Sequence, residues 1–257
     1  MIRILTLFFL LLPNLCFAQS TLFSGELNQS IKAVSYDLKS NDWYAENTLV
    51  IENGSDASRF TFDIEGKGRY DQYKDVAWSK QAEVQWQDNM LVPLSSDMRI
   101  RGIDGNEAYS YHYTYDYGSS QLTYAFRIDG VTERKRTYKL KGPTTDEVTM
   151  VQFLRPYVPF AGQEGYDSFY LLAKAPSLYK VNIIPQGEDV LTFGDRHVHT
   201  IKIQLKADLG PLTNIMAAIV PPTYLWYESQ YPYRWVKYQG VDSGQHAPVI
   251  RASVYYE

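Results

Sequence analysis

The sequence predicts a mainly β protein: a highly curved antiparallel sheet or half-barrel, with one or two short helices on its concave side. Three observations carry that expectation. Five tyrosines fall on every second residue from Tyr109 to Tyr117, a period that only an extended strand places on one face. Strand-like alternation bounded by turn residues recurs from Ile31 almost to the last residue. Helical spacing appears in only two short stretches, each ended by proline.

The tyrosine strand comes first because it constrains the interior. Tyr109, Tyr111, Tyr113, Tyr115 and Tyr117 share one face, and Ser110, His112, Thr114 and Asp116 the other. Each ring buries apolar area while its hydroxyl needs a partner. Such a row is either a half-buried face roofed by other elements or the wall of an amphipathic cavity, with Tyr111, Tyr113 and Tyr115 as its central wall residues.

The amino-terminal end has the form of a secretory signal peptide. Arg3 precedes an apolar run from Ile4 to Leu12, too short to span a bilayer, and Cys16-Phe-Ala18 gives a cleavage site after Ala18. A lipid anchor at Cys16 is disfavoured by Leu15, where that signal needs a small residue. Cleavage leaves 257 − 18 = 239 residues, 19–257, read as a single β-rich domain without cysteine. Its stability must then come from core burial. The balance of 24 basic against 29 acidic side chains and the lack of a large basic cluster exclude a nucleic-acid partner; Glu133-Arg-Lys-Arg136, the densest basic run, reads as a solvated strand face. No later segment is long and apolar enough for a membrane helix, so a periplasmic location is expected.

Along the chain, Ile31–Leu38, Trp43–Ile51 and Arg59–Glu65 alternate as strands, with turns at Asn53-Gly54 and Gly66-Lys-Gly68. Tyr70–Trp78, Glu83–Val92 and Met98–Ile103 continue the meander, with Asp88-Asn89 and Asp104-Gly105 as turn candidates. Gly118-Ser-Ser120 ends the tyrosine strand, and Gln121–Ile128 runs back. Asp129-Gly130 then closes a two-residue hairpin into Val131–Lys141, because both residues tolerate positive φ.

At Thr144-Thr-Asp-Glu147 the period changes. This is a capping-box pattern, and Val148, Val151 and Leu154 follow at helical spacing until Pro156. Strands resume at Ser168–Lys174, Leu178–Ile184, Asp189–Phe193 and Arg196–Lys206. In the stretch from Leu209 to Pro222, Leu212, Ile215, Met216 and Ile219 make one apolar helical face, which is either core or a lid over a cavity. An aromatic hairpin with Tyr224, Trp226, Tyr231, Tyr233 and Trp235 follows, and Ala247–Tyr256 closes the chain as a strand.

Candidate chemistry is sparse. His197 and His199 share a strand face, but a zinc site needs further ligands, for which only His112, His246 or a carboxylate remain. No metal and no cofactor is expected. The motifs of nucleophilic, zinc-dependent and phosphate-binding enzymes are absent, so a non-catalytic protein is expected.

One resemblance adds to this. Asp146 with Leu154-Arg155, Pro159-Phe160 with Gly162, Thr200 and Lys202 in the Gly194–Lys202 strand, and Leu225-Trp226 with Pro232 and the Trp235–Gly240 strand together resemble a DUF3108-like family of exported bacterial β-rich domains. The likeness covers about Thr145 to Gly240. That family is similar in fold to the lipoprotein localisation factors, in which a curved sheet wraps a short helix. The resemblance implies a curved sheet with a pocket for acyl chains; the residues themselves suggest Tyr111, Tyr113 and Tyr115 as wall, the 212–219 face as cover, and Trp226 and Trp235 of the aromatic hairpin as further ligand-binding residues. The partner would be a hydrophobic or lipid-like ligand. An envelope polysaccharide- or protein-binding module and an outer-membrane β-barrel are the alternative readings.

Overall fold

The computed structural model describes residues 22–23, 25–70, 73–102, 104–128, 132–173, 177–208, 210, 221–242 and 248–256. The leader, the turn at Asp129-Gly130, the apolar stretch bearing Leu212, Ile215, Met216 and Ile219, and His246 lie outside them.

Among the described residues fifteen strands form one open, curled sheet. They are β1 (Ser30–Asp37), β2 (Trp43–Asn53), β3 (Arg59–Tyr70), β4 (Tyr73–Gln87), β5 (Met90–Arg101), β6 (Glu107–Asp116), β7 (Gln121–Ile128) and β8 (Thr132–Lys139). After them come β9 (Thr144–Asp146), β10 (Ser168–Ala173), β11 (Ser177–Phe193), β12 (Arg196–Asp208), β13 (Thr223–Glu228), β14 (Trp235–Val241) and β15 (Val249–Tyr256). Helix α1 (Met150–Phe153) and a 3-10 helix (Arg155–Phe160) separate β9 from β10. The order across the sheet runs from β8 back to β1, crosses to β15, and descends to β9, so two meanders meet at the β1–β15 seam and β8 and β9 are its edges. The β9–β10 pair is parallel; the other named neighbours are antiparallel.

Two apolar clusters fill the inner face. The larger joins the first meander, with Phe23, Ile51, Phe60, Phe62, Val84, Leu91, Met98 and the tyrosines of β6. The smaller packs Phe153, Leu154, Tyr157 and Val158 of the helical turns against Phe169, Ile183, Ile203, Leu225 and Tyr227. The helices thus lie on the concave side, as expected.

Several local expectations change. Gly66 and Gly68 make no turn; they sit inside β3. A Cβ on Gly66 would stand 2.1 Å from Nε1 of Trp78, so the glycine leaves room for an indole laid across the strand. Gly68, at φ +134°, lies against the backbone of Tyr44 and Ala45. Tyr70–Trp78 and Glu83–Val92 are not separate strands, because β4 is continuous from Tyr73 and turns only at Asp88 and Asn89, whose φ angles of 52° and 62° fit a tight hairpin. Likewise β11 runs through Pro185, with a bulge before Glu188.

The capping box is also replaced. Thr144–Asp146 is a buried strand, and the helical turn begins only at Met150. Oδ1 of Asp146 accepts the N–H groups of Val148 and Thr149 at 2.8 and 3.2 Å, so the carboxylate, not a threonine at 144, holds the approach to the helix. Pro156 does not stop the chain's winding, since it occupies the opening of the 3-10 helix, where no N–H is required.

Candidate functional site

Cross-strand pairing shows which residues share a face. Tyr109, Tyr111, Tyr113 and Tyr115 stand opposite Ile128, Phe126, Tyr124 and Leu122 of β7. On the other side Tyr109, Tyr111 and Tyr113 meet Ile100, Met98 and Ser96 of β5. This face is the inner one, and Tyr111, Tyr113 and Tyr115 are 3%, 0% and 6% exposed. The rings pack on one another: Tyr111 lies 5.0 Å from Phe126 and 5.9 Å from Tyr124 by centroid, and Tyr113 lies 5.5 Å from Tyr124. The tyrosine row is therefore a packed wall.

Two carboxylates stand behind the wall. Oδ2 of Asp146 accepts from the hydroxyls of Ser96 and Tyr115, both at 2.7 Å. The hydroxyl of Tyr70 donates toward Glu147 at 3.2 Å. Burial, reinforced by these negative charges, holds the phenols of Tyr111, Tyr113 and Tyr115 well above the usual tyrosine range. The hydroxyl of Tyr113 is buried and has no hydrogen-bond partner among the described residues.

The inner face becomes accessible toward the β8 edge. Phe126 is opposite Arg134, Tyr124 opposite Arg136, and Leu122 opposite Tyr138. Arg134 and Arg136 are exposed, and Ile128 is 37% exposed. Aromatic rings and two guanidinium groups thus share one face at a free edge. Among the described side chains neither arginine lies within ion-pair distance of a carboxylate.

This register corrects the hairpin expected at Asp129-Gly130. Ile128 pairs with Thr132, so three residues separate the strands. With two, Glu133 and Lys135 would have stood opposite Phe126 and Tyr124; the basic residues Arg134, Lys135 and Arg136 are exposed, as expected of a solvated run.

The remaining expected site residues do not gather here. Trp226 lies on the opposite face of the sheet from its neighbours Leu225 and Tyr227, which pack inward. Its indole N–H donates to Oδ2 of Asp189 at 2.9 Å, and the ammonium groups of Lys202 and Lys237 lie 4.9 and 4.4 Å from its ring. Lys237 is held below its ordinary range, first by burial and then by the nearby Arg251. Trp235 packs against both inner clusters and donates its N–H to the carbonyl of Lys237. Trp226 and the tyrosine row therefore cannot line one cavity.

His197 and His199 are exposed near the end of β12, with Nδ1 of His197 3.1 Å from Oγ1 of Thr192. Among the described residues no group of three or more His, Cys, Asp or Glu could hold a metal ion, and no helix is long and apolar enough to cross a membrane.

Sequence reasoning missed a hollow on the outer face of β5, β6 and β7. It measures about 300 Å³ and is bordered by Asp97, Arg99, Glu107, Ser110, His112 and Arg127 above Ala125. The alternation that exposed the tyrosines also placed Ser110 and His112 on that face, but their cross-strand partners depended on a register the residues alone do not show.

No family model matches the chain, and no curated protein does. Among solved structures the fold is similar to the crystal structure of a beta-barrel-like protein of domain of unknown function DUF1849 from Brucella abortus. That likeness has 9% sequence identity and a TM-score of 0.49, and covers 90% of this chain and 99% of that one. By its own strand order the chain is a β-rich domain built on one open, curled sheet.

Proposed function

We propose that this chain is a non-catalytic binding protein of the cell envelope, exported by its leader, which takes an amphipathic, lipid-like ligand at the open end of its inner face. The observation that carries the reading is the pairing of Phe126 with Arg134 and Tyr124 with Arg136 on an edge strand. An apolar chain would lie against Phe126 and Ile128 while an anionic head meets the guanidinium groups. Burial at ~25 cal/mol per Å² makes even a short acyl chain sufficient for micromolar binding. Tyr111, Tyr113 and Tyr115 back that surface. Membership in the DUF3108-like family belongs to the same proposal.

An outer-membrane barrel fits poorly. The outer face carries Lys32 with Glu46, Lys67 with Glu46, Arg59 with Glu83, and Gln81 with Asp63, where a lipid-facing band would be apolar.

The test is native mass spectrometry, with organic extraction, of protein isolated without detergent. A co-purifying lipid, lost in the Arg134→Glu/Arg136→Glu variant, is the expected result. A wild-type protein that carries none, and takes up no added fluorescent fatty acid, would sink the proposal.

A further inference from the structure

The outer hollow is built from two cross-strand rows. Arg99, Ser110 and Arg127 stand directly opposite one another on β5, β6 and β7, and Asp97, His112 and Ala125 form the next row. Adjacent strands are about 4.8 Å apart, so the two arginines flank the serine across roughly 10 Å. Ala125 is short where its neighbours are long, and the space above it is the hollow. Tyr111 and Phe126 contribute to its base, but their rings pack on the inner side.

The polar groups are held in place. Nδ1 of His112 lies 2.9 Å from Oδ1 of Asp97, and Nε2 lies 2.9 Å from Oγ1 of Thr114. Oγ of Ser110 donates to Glu107 at 2.7 Å. Among the described side chains neither Arg99 nor Arg127 lies within ion-pair distance of a carboxylate. Two guanidinium groups on one face suit a carboxylate or phosphate, which they bind through parallel N–H donors. The carboxylates of Asp97 and Glu107 suit hydroxyl donors. An acyl chain would find no apolar wall here.

The order Asp97–His112–Thr114 also resembles an orienting group, base and nucleophile. Yet the His112 and Asp97 side chains are 50% and 41% exposed, and the β6 backbone is engaged in ladders with β5 and β7, which leaves no N–H pair to hold an oxyanion. The chemistry is recognition.

We infer that this hollow binds one sugar residue bearing an acidic group, with Arg99 and Arg127 on the carboxylate or phosphate and Asp97, Glu107 and His112 on ring hydroxyls. The site is on the opposite face of the sheet from the lipid-like site and does not depend on it.

The test is a two-dimensional amide NMR titration of the purified chain with galacturonate, glucose 6-phosphate, glucose and inorganic phosphate. The expected result is saturable movement of the Ser110–Thr114 and Ala125–Arg127 amides with at least one of the acidic sugars and none with glucose. Arg99→Ala/Arg127→Ala should weaken binding at least tenfold. Ala125→Leu, which fills the hollow and keeps both guanidinium groups, should do the same at an unchanged thermal midpoint. No movement with either acidic sugar, equal binding of inorganic phosphate, or undiminished binding by Ala125→Leu would each overturn the inference.

Discussion

Arg155 and Glu26, 129 residues apart in the sequence, form an ion pair that water does not reach: Nη2 and Nη1 of the arginine lie 2.8 and 3.1 Å from the two carboxylate oxygens, and both side chains are 0% exposed. The guanidinium also donates to the carbonyls of Leu22 and Pro232 and to Gln152, and it lies 4.8 Å from the Phe23 ring centroid. One cation therefore ties the segment before β1, the 3-10 helix and the β13–β14 connection together.

Arg155→Met should destabilise the fold by about 3 kcal/mol, because it leaves the buried Glu26 carboxylate with Arg234 alone, 3.4 Å away, and strands the carbonyls of Leu22 and Pro232. Urea unfolding followed by circular dichroism measures the loss. A change below about 1 kcal/mol would mean that the pair is not closed in solution.

Asp146 binds its surroundings through both oxygens, so Asp146→Ala should cost roughly 3 kcal/mol by stranding the Ser96 and Tyr115 hydroxyls and the Val148 and Thr149 N–H groups. Tyr115→Phe, which removes one donor and keeps the ring, should cost about 1 kcal/mol. A thermal-melt series of the two variants tests the ranking.

Alkaline titration should separate the inner tyrosines from the rest. The phenols of Tyr111, Tyr113, Tyr115 and Tyr227 have raised folded values, chiefly from burial. Below the unfolded value of about 10 both states keep their protons and the stability is fully present. Above it the unfolded chain loses protons that the folded one retains, so stability falls as pH rises. Phenolate absorbance should thus show a gradual exposed phase and then a steep rise coincident with loss of ellipticity. Full ionisation while the sheet remains intact would refute the packed wall.

Gly66→Ala should displace the Trp78 indole, break its 2.8 Å hydrogen bond to Oδ1 of Asn47, and cost about 2–4 kcal/mol. Tryptophan emission should shift to the red if the ring leaves its seat.

The tyrosine face, the eight-residue reach of Gln121–Ile128 and the position of the Asp88-Asn89 turn were all readable from alternation and turn chemistry, because a period of two leaves few alternatives. What escaped was information held between strands. Gly66 looks like a turn residue until Trp78 is placed over it, and Thr144-Thr-Asp looks like a helix start until β10 pairs with it. Which strand residues Arg134 and Arg136 stand opposite turns on a single residue of loop length, and the hollow over Ala125 exists only once three strands are in register. Side-chain periodicity fixes faces within a strand, whereas a site is assembled across strands.

The seam between β1 and β15 has a kinetic consequence. Ribosomal synthesis delivers β1 first and β15 last, so strands already hydrogen-bonded through β8 must wait, with one side of β1 unpaired, for residues more than two hundred positions later. Closure of that seam is a long-range event, slow by loop-closure entropy, and the waiting edge is a template for another nascent chain. Dilution and a holding chaperone should raise the yield of native protein for that reason, independently of any ligand.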